Sequence, residues 1–125
     1  MKIYIGHSRE FDYKKELYEP IRNFVKLPSP VDMILPHENS ADIQRARDFY
    51  NDIDLFIAEV SFPATGLGIE LGWAYDSGVP IFCISKRGTK IANSLRSITS
   101  NFLEYDSGDE LVECIRSAID ATFSQ

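Results

Sequence analysis

Glu70 follows a pair of closely spaced glycines, Gly66 and Gly68, which come after a short apolar segment at 55–60. The glycines allow a bound molecule to approach the backbone, and the first N–H groups of a helix starting here would face that molecule. The apolar segment is typical of a strand covered on both faces. A carboxylate in this position can act as a nucleophile or as a charge partner of the helix.

Spacing alone leaves both interpretations of Glu70 open. The glycine pattern is not the dinucleotide-binding fingerprint, because the third glycine would fall at position 71, which is Leu71. No P-loop lysine follows either. A glutamate in the first turn of a helix often does no more than complement the helix dipole.

Composition limits the classes of function. The chain has 125 residues and a net charge of −6, with no basic run. We therefore expect one domain, 1–125, and no nucleic-acid partner, although a single nucleotide in a pocket stays compatible with this charge. No apolar run approaches the ~20 residues that span a bilayer, and the polar N-terminal segment is not a signal peptide. These features predict a cytoplasmic protein with no membrane partner.

Cys83 and Cys114 fall on apolar positions and are predicted to be buried thiols. Their spacing fits no zinc site, and two such thiols indicate a reducing compartment. We expect no metal site and no cofactor.

Apolar runs and helical patterns alternate along the chain, which predicts a parallel sheet with right-handed crossovers. The first helix should be kinked or divided by Pro20. The last helix should begin at a capping box formed by Ser107 and Glu110. The predicted strands are 2–6, 31–35, 53–60, 79–85 and 102–105, and the predicted helices are 10–26, 40–51, 65–77, 91–95 and the segment from 107 onward.

This pattern predicts a flavodoxin-like, doubly wound α/β fold with a five-stranded parallel sheet in the order 2-1-3-4-5 and helices on both faces. In such a sheet a ligand binds beyond the carboxyl ends of the strands, where the order reverses. The loops at 6–9, 36–39 and 61–68 should meet at this edge.

The motif Asp54…Ala-Glu-Val-Ser…Pro-x-x-Gly-Leu-Gly-Ile-Glu-Leu-Gly resembles the nucleoside 2-deoxyribosyltransferase family. Within that family it is similar to the 2'-deoxynucleoside 5'-monophosphate N-glycosidases. The resemblance is dense over 54–78 and recurs at 2–6. It implies that Glu70 attacks the anomeric carbon of a deoxyribosyl group and that the hydroxyl of Tyr4 orients Glu70. The substrate would be a small nucleoside or nucleotide.

The resemblance also implies a phosphate site after the first strand. Ser8 corresponds to a phosphate-contacting serine, Gly6 would permit close backbone approach, and Arg9 could add a charge-assisted contact. The remainder of that family loop is absent, since Glu10 and Asp12 stand there instead. Ser8 could equally be a solvated loop residue or a helix cap.

Further substrate contacts are expected from the other two loops. His37 could stack on a base or form a hydrogen bond with it, although lone loop histidines are more often solvated. N–H groups at the helix start, from Thr65, Gly66 and Gly68, could contact a phosphate.

The aspartate that would be the general acid in the family has no aligned counterpart in this sequence. The family aspartate that lies eight residues before the position of Asp54 corresponds to Ala46 here. Asp42 lies one turn earlier on the same predicted helical face, and Asp48 matches if this chain is two residues shorter. Either could protonate a leaving base, and either could be a solvated surface charge.

Ala64 is a second departure, because the family has an aspartate or a serine here for the sugar 5' position. The two departures make a nucleotide-binding module without catalysis the second hypothesis. A well-formed hydrogen bond between Glu70 and Tyr4 would favour the enzyme, and a cleft lacking any second carboxylate near Glu70 would favour the module. A third hypothesis is an NAD-cleaving enzyme, which would need a longer cleft.

The segment 91–96 resembles one that reaches the active site of a neighbouring subunit in the family. Leu95 and Arg96 match, whereas Ala92 stands where a serine is expected and Asn93 could replace it. The resemblance therefore implies a homodimer or a larger homo-oligomer.

Overall fold

The computed structural model describes residues 1–27, 31–38 and 47–123. Within these ranges five strands form one parallel sheet in the order β2-β1-β3-β4-β5. The predicted flavodoxin-like α/β fold and the strand order are confirmed. The strands are β1 (Lys2–His7), β2 (Asp32–Ile34), β3 (Leu55–Glu59), β4 (Ile81–Lys86) and β5 (Phe102–Tyr105).

In the described part of the chain three α-helices cover the sheet: α1 (Glu19–Phe24), α2 (Thr65–Asp76) and α3 (Gly108–Phe123). Short 3₁₀ turns at Arg47–Asp52 and Asn93–Ser97 precede β3 and β5. The prediction of a helix at 40–51 falls largely outside the described residues, and its described part is the first of these turns.

The prediction of one helix over 10–26 is wrong in its start and its form. A π-helical segment at Lys14–Tyr18 precedes α1, and the N–H group of Glu19 bonds to the carbonyl of Lys14, five residues earlier. Pro20 has no N–H group and lies in the first turn of α1, where none is needed. Tyr18 and Glu19 both keep helical backbone angles, so the helix runs on through Pro20 and changes from π-helical to α-helical at Glu19 instead of being divided there.

Alternate residues of the central strands enter two separate cores. Ile3 and Ile57 pack with α1 and α3 on one face of the sheet. Tyr4 and Phe56 pack with α2 and the turn Arg47–Asp52 on the other. Because both faces are covered, β3 is apolar at nearly every position, with Glu59 the exception.

Gly6 of β1 is required by internal packing. A β-carbon at this position would lie 2.5 Å from Cε1 of Phe56 and 2.9 Å from Cδ1 of Leu67. The expectation that Gly6 lets a ligand approach the backbone is not supported by its surroundings, because this space is filled by side chains of β3 and α2.

Candidate active site

A cavity of about 420 Å³ lies beyond the carboxyl ends of β1 and β2, against the start of α2. It brings together the three loops that the sequence placed at this edge. Its lining includes predicted site residues from each of them: Ser8, Arg9, His37, Thr65, Gly66 and Glu70.

Glu70 is partly buried in the second turn of α2 and lines this cavity. The hydroxyl of Tyr4 donates a hydrogen bond to Glu70 Oε2 at 2.6 Å. Tyr4 itself is buried, and burial together with the negative charge of Glu70 raises the pKa of Tyr4 well above its ordinary value. Tyr4 therefore stays protonated and can act only as a donor to the carboxylate.

A second tyrosine, Tyr50, also donates to Glu70 Oε2. Tyr50 belongs to the turn Arg47–Asp52 and is buried against the rings of Tyr4, Phe56 and Trp73. Sequence reasoning missed this residue, because an aromatic residue in a segment predicted as helix carries no spacing signal that points to Glu70. Only the packing of this turn against α2 brings the two side chains together.

The start of α2 opens onto the cavity without a side-chain cap. Ala64 occupies the N-cap position in an extended conformation and supplies no acceptor, while Thr65 and Gly66 line the cavity. The first N–H groups of a helix have no partner within it, so an uncapped start is suited to an anion. Gly68 does not line this cavity, and its N–H group already bonds to the carbonyl of Ala64 at 3.1 Å.

Ser8 is buried beside the same helix start, and its hydroxyl accepts a hydrogen bond from the N–H group of Glu10 at 3.0 Å. The hydroxyl hydrogen of Ser8 can still be donated to a ligand. Arg9 and Glu10 are exposed at the rim of the cavity. Glu10 places a second carboxylate in this cavity, which sequence reasoning did not propose as a site residue.

His7 is held by hydrogen bonds at both ring nitrogens. Nδ1 lies 2.7 Å from the carbonyl oxygen of Ser8, and Nε2 lies 2.6 Å from the hydroxyl of Tyr18, which also accepts from the N–H group of His37. A carbonyl can only accept, so these partners assign the proton to Nδ1. Burial lowers the pKa of His7 to about 4.

The neutral state of His7 should make stability depend on pH. Because the pKa is about 4 when folded and 6.5 when unfolded, this stabilisation is present above pH 6.5 and is lost as pH falls towards 4. Between pH 7 and pH 5, we expect wild type to lose about 2 kcal/mol of unfolding free energy that His7→Gln does not lose. Urea unfolding of both proteins at the two pH values measures this difference, and equal losses would contradict it.

The structure does not bring every candidate to the cavity. Asp48 is exposed in the turn Arg47–Asp52 and is absent from the cavity lining, while Asp42 lies outside the described residues. Asn93 is exposed at the start of the turn Asn93–Ser97 and is likewise not part of the lining. The roles predicted for these three residues stay predictions.

Within residues 1–27, 31–38 and 47–123, no group of three or more histidine, cysteine, aspartate or glutamate side chains could hold a metal ion. Cys83 and Cys114 are buried free thiols, as the sequence predicted, and burial raises the pKa of Cys83 to about 12. None of the helices in the described part of the chain is both long enough and apolar enough to cross a membrane.

No protein-family model matches this chain. A sequence search of curated proteins found no match either. Similar solved structures include the CMP N-glycosidase BcmB of Clostridium botulinum, with a TM-score of 0.64 and 20% identity over 93% of this chain and 99% of that one. A 2-deoxyribosyltransferase from Leishmania mexicana has a TM-score of 0.60 and 21% identity, covering 96% of this chain and 95% of its own.

A conserved protein from Enterococcus faecalis is similar to the same degree, with a TM-score of 0.59 and 20% identity over 94% of this chain and 98% of that one. At these identities the three likenesses establish a shared fold. The names of the first two neighbours agree with the enzyme family that the motif around Glu70 resembles.

Proposed function

We propose that this protein cleaves or transfers at the N-glycosidic bond of a 2'-deoxynucleoside or its 5'-monophosphate, with Glu70 as the nucleophile. The observation that carries the proposal is the Glu70 carboxylate, which is bound by two tyrosine hydroxyls at the wall of a cavity sized for a small ligand. The names of two structural neighbours support the same reaction class. We place this activity in the cytoplasm, without a metal or cofactor.

In the first step, an oxygen of Glu70 bonds to the anomeric carbon while the bond from that carbon to the base nitrogen breaks. The base leaves with the bonding electron pair and receives a proton. Water or a second base then attacks the same carbon, loses a proton and releases Glu70. A carboxylate suits both steps, because each transition state resembles an oxocarbenium ion.

The proton donor for the leaving base is proposed among three carboxylic acids. Asp42 and Asp48 are the candidates from sequence, and Glu10 joins them because it lines the cavity with Glu70. A donor must be within hydrogen-bond reach of the base nitrogen once the substrate is bound.

Two features favour the enzyme over the alternative hypotheses. A binding module would not need the contact of 2.6 Å through which Tyr4 orients Glu70. The cavity volume of about 420 Å³ lies near the low end of ligand sites, which favours one nucleotide over a dinucleotide such as NAD.

The direct test is to incubate the protein with deoxynucleosides, their monophosphates and NAD, with and without an acceptor base, and to separate the products by chromatography. CMP belongs in the panel because a neighbour with the same fold is named for it. Release or exchange of a base from a deoxy substrate supports the proposal. Cleavage of NAD alone, or binding without any release, would favour one of the alternatives.

We also predict a homodimer or a larger homo-oligomer that uses the outer face of α2. Ile69 and Tyr75 are 49% and 56% exposed there, and a β-carbon added at Gly68 or Gly72 would meet no atom of the described residues within 4 Å. Each glycine costs a helix about 1 kcal/mol, and packing against the described part of the chain does not explain why glycine occupies these two positions. Ala92, Ser94 and Leu95 line an apolar pocket of about 140 Å³ together with residues at the start of α2.

Light scattering at micromolar concentration should give at least the mass of a dimer, and Tyr75→Glu should shift it towards monomer, because burying the new charge is unfavourable. Phe24→Glu is the matched control, since Phe24 is 55% exposed on α1, on the opposite face of the sheet. A monomeric wild type, or dissociation by Phe24→Glu alone, would contradict the predicted interface.

A further inference from the structure

We infer that Tyr50 is a second positioning residue for Glu70, and that Tyr4 and Tyr50 together fix the orientation of the carboxylate for attack. This inference rests on the proposed function. It adds a residue that the motif around Glu70 does not contain, from a turn that precedes β3.

Both hydroxyl groups reach the same carboxylate oxygen. Tyr4 and Tyr50 each donate to Glu70 Oε2, and their rings are nearly perpendicular, at 82°, with centroids 5.5 Å apart. Two donors to one oxygen restrict rotation of the carboxylate more than one donor would. We therefore assign Oε1, the other oxygen of Glu70, to the attack on the sugar.

Tyr50 can fix Glu70 only if the turn that carries it is itself attached to α2. The ring of Trp73 in α2 packs on the ring of Tyr50, with the two ring centroids 5.8 Å apart. Ser77, at the end of α2, donates to Asn51 at 2.6 Å, and Arg47 forms an ion pair with Asp76. Contacts on both sides of Tyr50 therefore attach the turn to the helix. These contacts hold the hydroxyl of Tyr50 in position beside Glu70.

Packing alone does not explain a tyrosine at this position. Tyr50 is 1% exposed among aromatic rings, where phenylalanine would fill the same space without a polar group that needs a partner. The hydroxyl of Tyr50 has such a partner in the carboxylate of Glu70. This contact supports catalysis, because the reaction rate is sensitive to small errors in the placement of the reacting oxygen.

The chain supplies a matched control in Tyr105 of β5. Its hydroxyl also donates to a glutamate, Glu59, which is 0% exposed and accepts two further hydrogen bonds from Ser61, at 2.7 Å and 2.8 Å. The chemistry of the contact is the same, but neither Glu59 nor Tyr105 lines the cavity. Tyr105→Phe therefore reports the structural cost of losing a tyrosine–carboxylate hydrogen bond.

The kinetic test compares Tyr50→Phe with Tyr105→Phe on the substrate that wild type cleaves fastest. We expect Tyr50→Phe to lower kcat about tenfold to a hundredfold, as for loss of a hydrogen bond to a charged group, with KM changed less than about threefold. Tyr105→Phe should lower the Tm and leave kcat within about twofold. An unchanged kcat in Tyr50→Phe, or equal losses in both variants, would overturn the inference.

A structural test is independent of activity, so it distinguishes failure of this inference from failure of the proposed function. In a crystal structure of Tyr50→Phe, we expect the Glu70 carboxylate to rotate or to occupy two conformations, while Tyr105→Phe leaves it unchanged. A Glu70 side chain in the wild-type conformation in Tyr50→Phe would overturn the positioning role. If wild type cleaves no substrate in the panel, the proposed function fails and this structural comparison still decides the inference.

Discussion

Glu70→Gln is expected to lower the rate of glycosidic cleavage by at least about a thousandfold, because the two-step path loses its nucleophile. The amide oxygen of glutamine can still accept hydrogen bonds from Tyr4 and Tyr50, so the site should remain folded. Glu70→Ala should lose as much activity. Chromatographic assay of base release and a thermal unfolding curve for each variant give the two required readouts.

Glu113→Gln is a suitable control for the loss of one carboxylate. Glu113 lies exposed on α3, paired with Arg116 and far from the cavity in the fold, so its replacement should leave turnover unchanged. Full turnover in Glu70→Gln would contradict the mechanism. Loss of turnover with a large drop in Tm would point instead to a structural role for Glu70.

A 5'-monophosphate is expected to react at least about tenfold better, in kcat/KM, than the corresponding free nucleoside. Three groups can hold the phosphate: the uncapped start of α2, the hydroxyl of Ser8 and the guanidinium of Arg9. Ala64 removes one hydrogen bond worth about 1 kcal/mol, whereas a helix start and an arginine can together supply as much or more. The exposed carboxylate of Glu10 opposes them at the rim.

Competition between the two substrate forms measures this preference in wild type and in Arg9→Ala, which should reduce it. Arg87→Ala is the control, because Arg87 pairs with Asp106 beyond β4 and is not part of the cavity lining. If the free nucleoside reacts as well as the monophosphate and Arg9→Ala changes neither rate, the protein is closer to the transferases in substrate choice.

The sheet could be predicted from the sequence because its physical causes are local. The apolar runs of β3 and β4 indicate strands covered on both faces, and alternation with helices imposes parallel pairing. The capping box was nearly correct: Ser107 accepts from the N–H group of Glu110, but the carboxylate of Glu110 reaches the N–H group of Asp106. This one-residue difference depends on the direction in which the chain leaves β5 and enters α3. The capping-box motif does not specify that direction.

Local patterns failed where one residue changes the hydrogen bonding of a whole segment. The apolar pattern over 10–26 indicates a helix but does not specify that the segment Lys14–Tyr18, just before Pro20, is π-helical. Gly6 is another such case, because its role becomes visible only when Phe56 and Leu67 are seen to fill the space.

The parts of the site that could be predicted are those carried by a sequence motif or by the loops at the carboxyl ends of the predicted strands. Glu70 was singled out by its glycine-rich setting, and its contact with Tyr4 agrees with the role that the family resemblance implied. Tyr50 was missed because its contact joins a short turn to a helix twenty residues later, through tertiary packing alone. Thr65 and Gly66 line the cavity, whereas Gly68 does not, and its N–H group donates to the carbonyl of Ala64 at the start of α2.

The central claim, that Glu70 forms a bond to the sugar, is tested most directly by trapping the intermediate. A 2'-fluoro-arabino analogue of the preferred substrate slows release of the sugar, because the electronegative fluorine destabilises the oxocarbenium-like transition state. After acid quench and proteolysis, mass spectrometry should find the added sugar on the peptide that contains Glu70 and no adduct in Glu70→Gln. Release of the base with the sugar attached to another residue, or with no protein adduct, would contradict the claim.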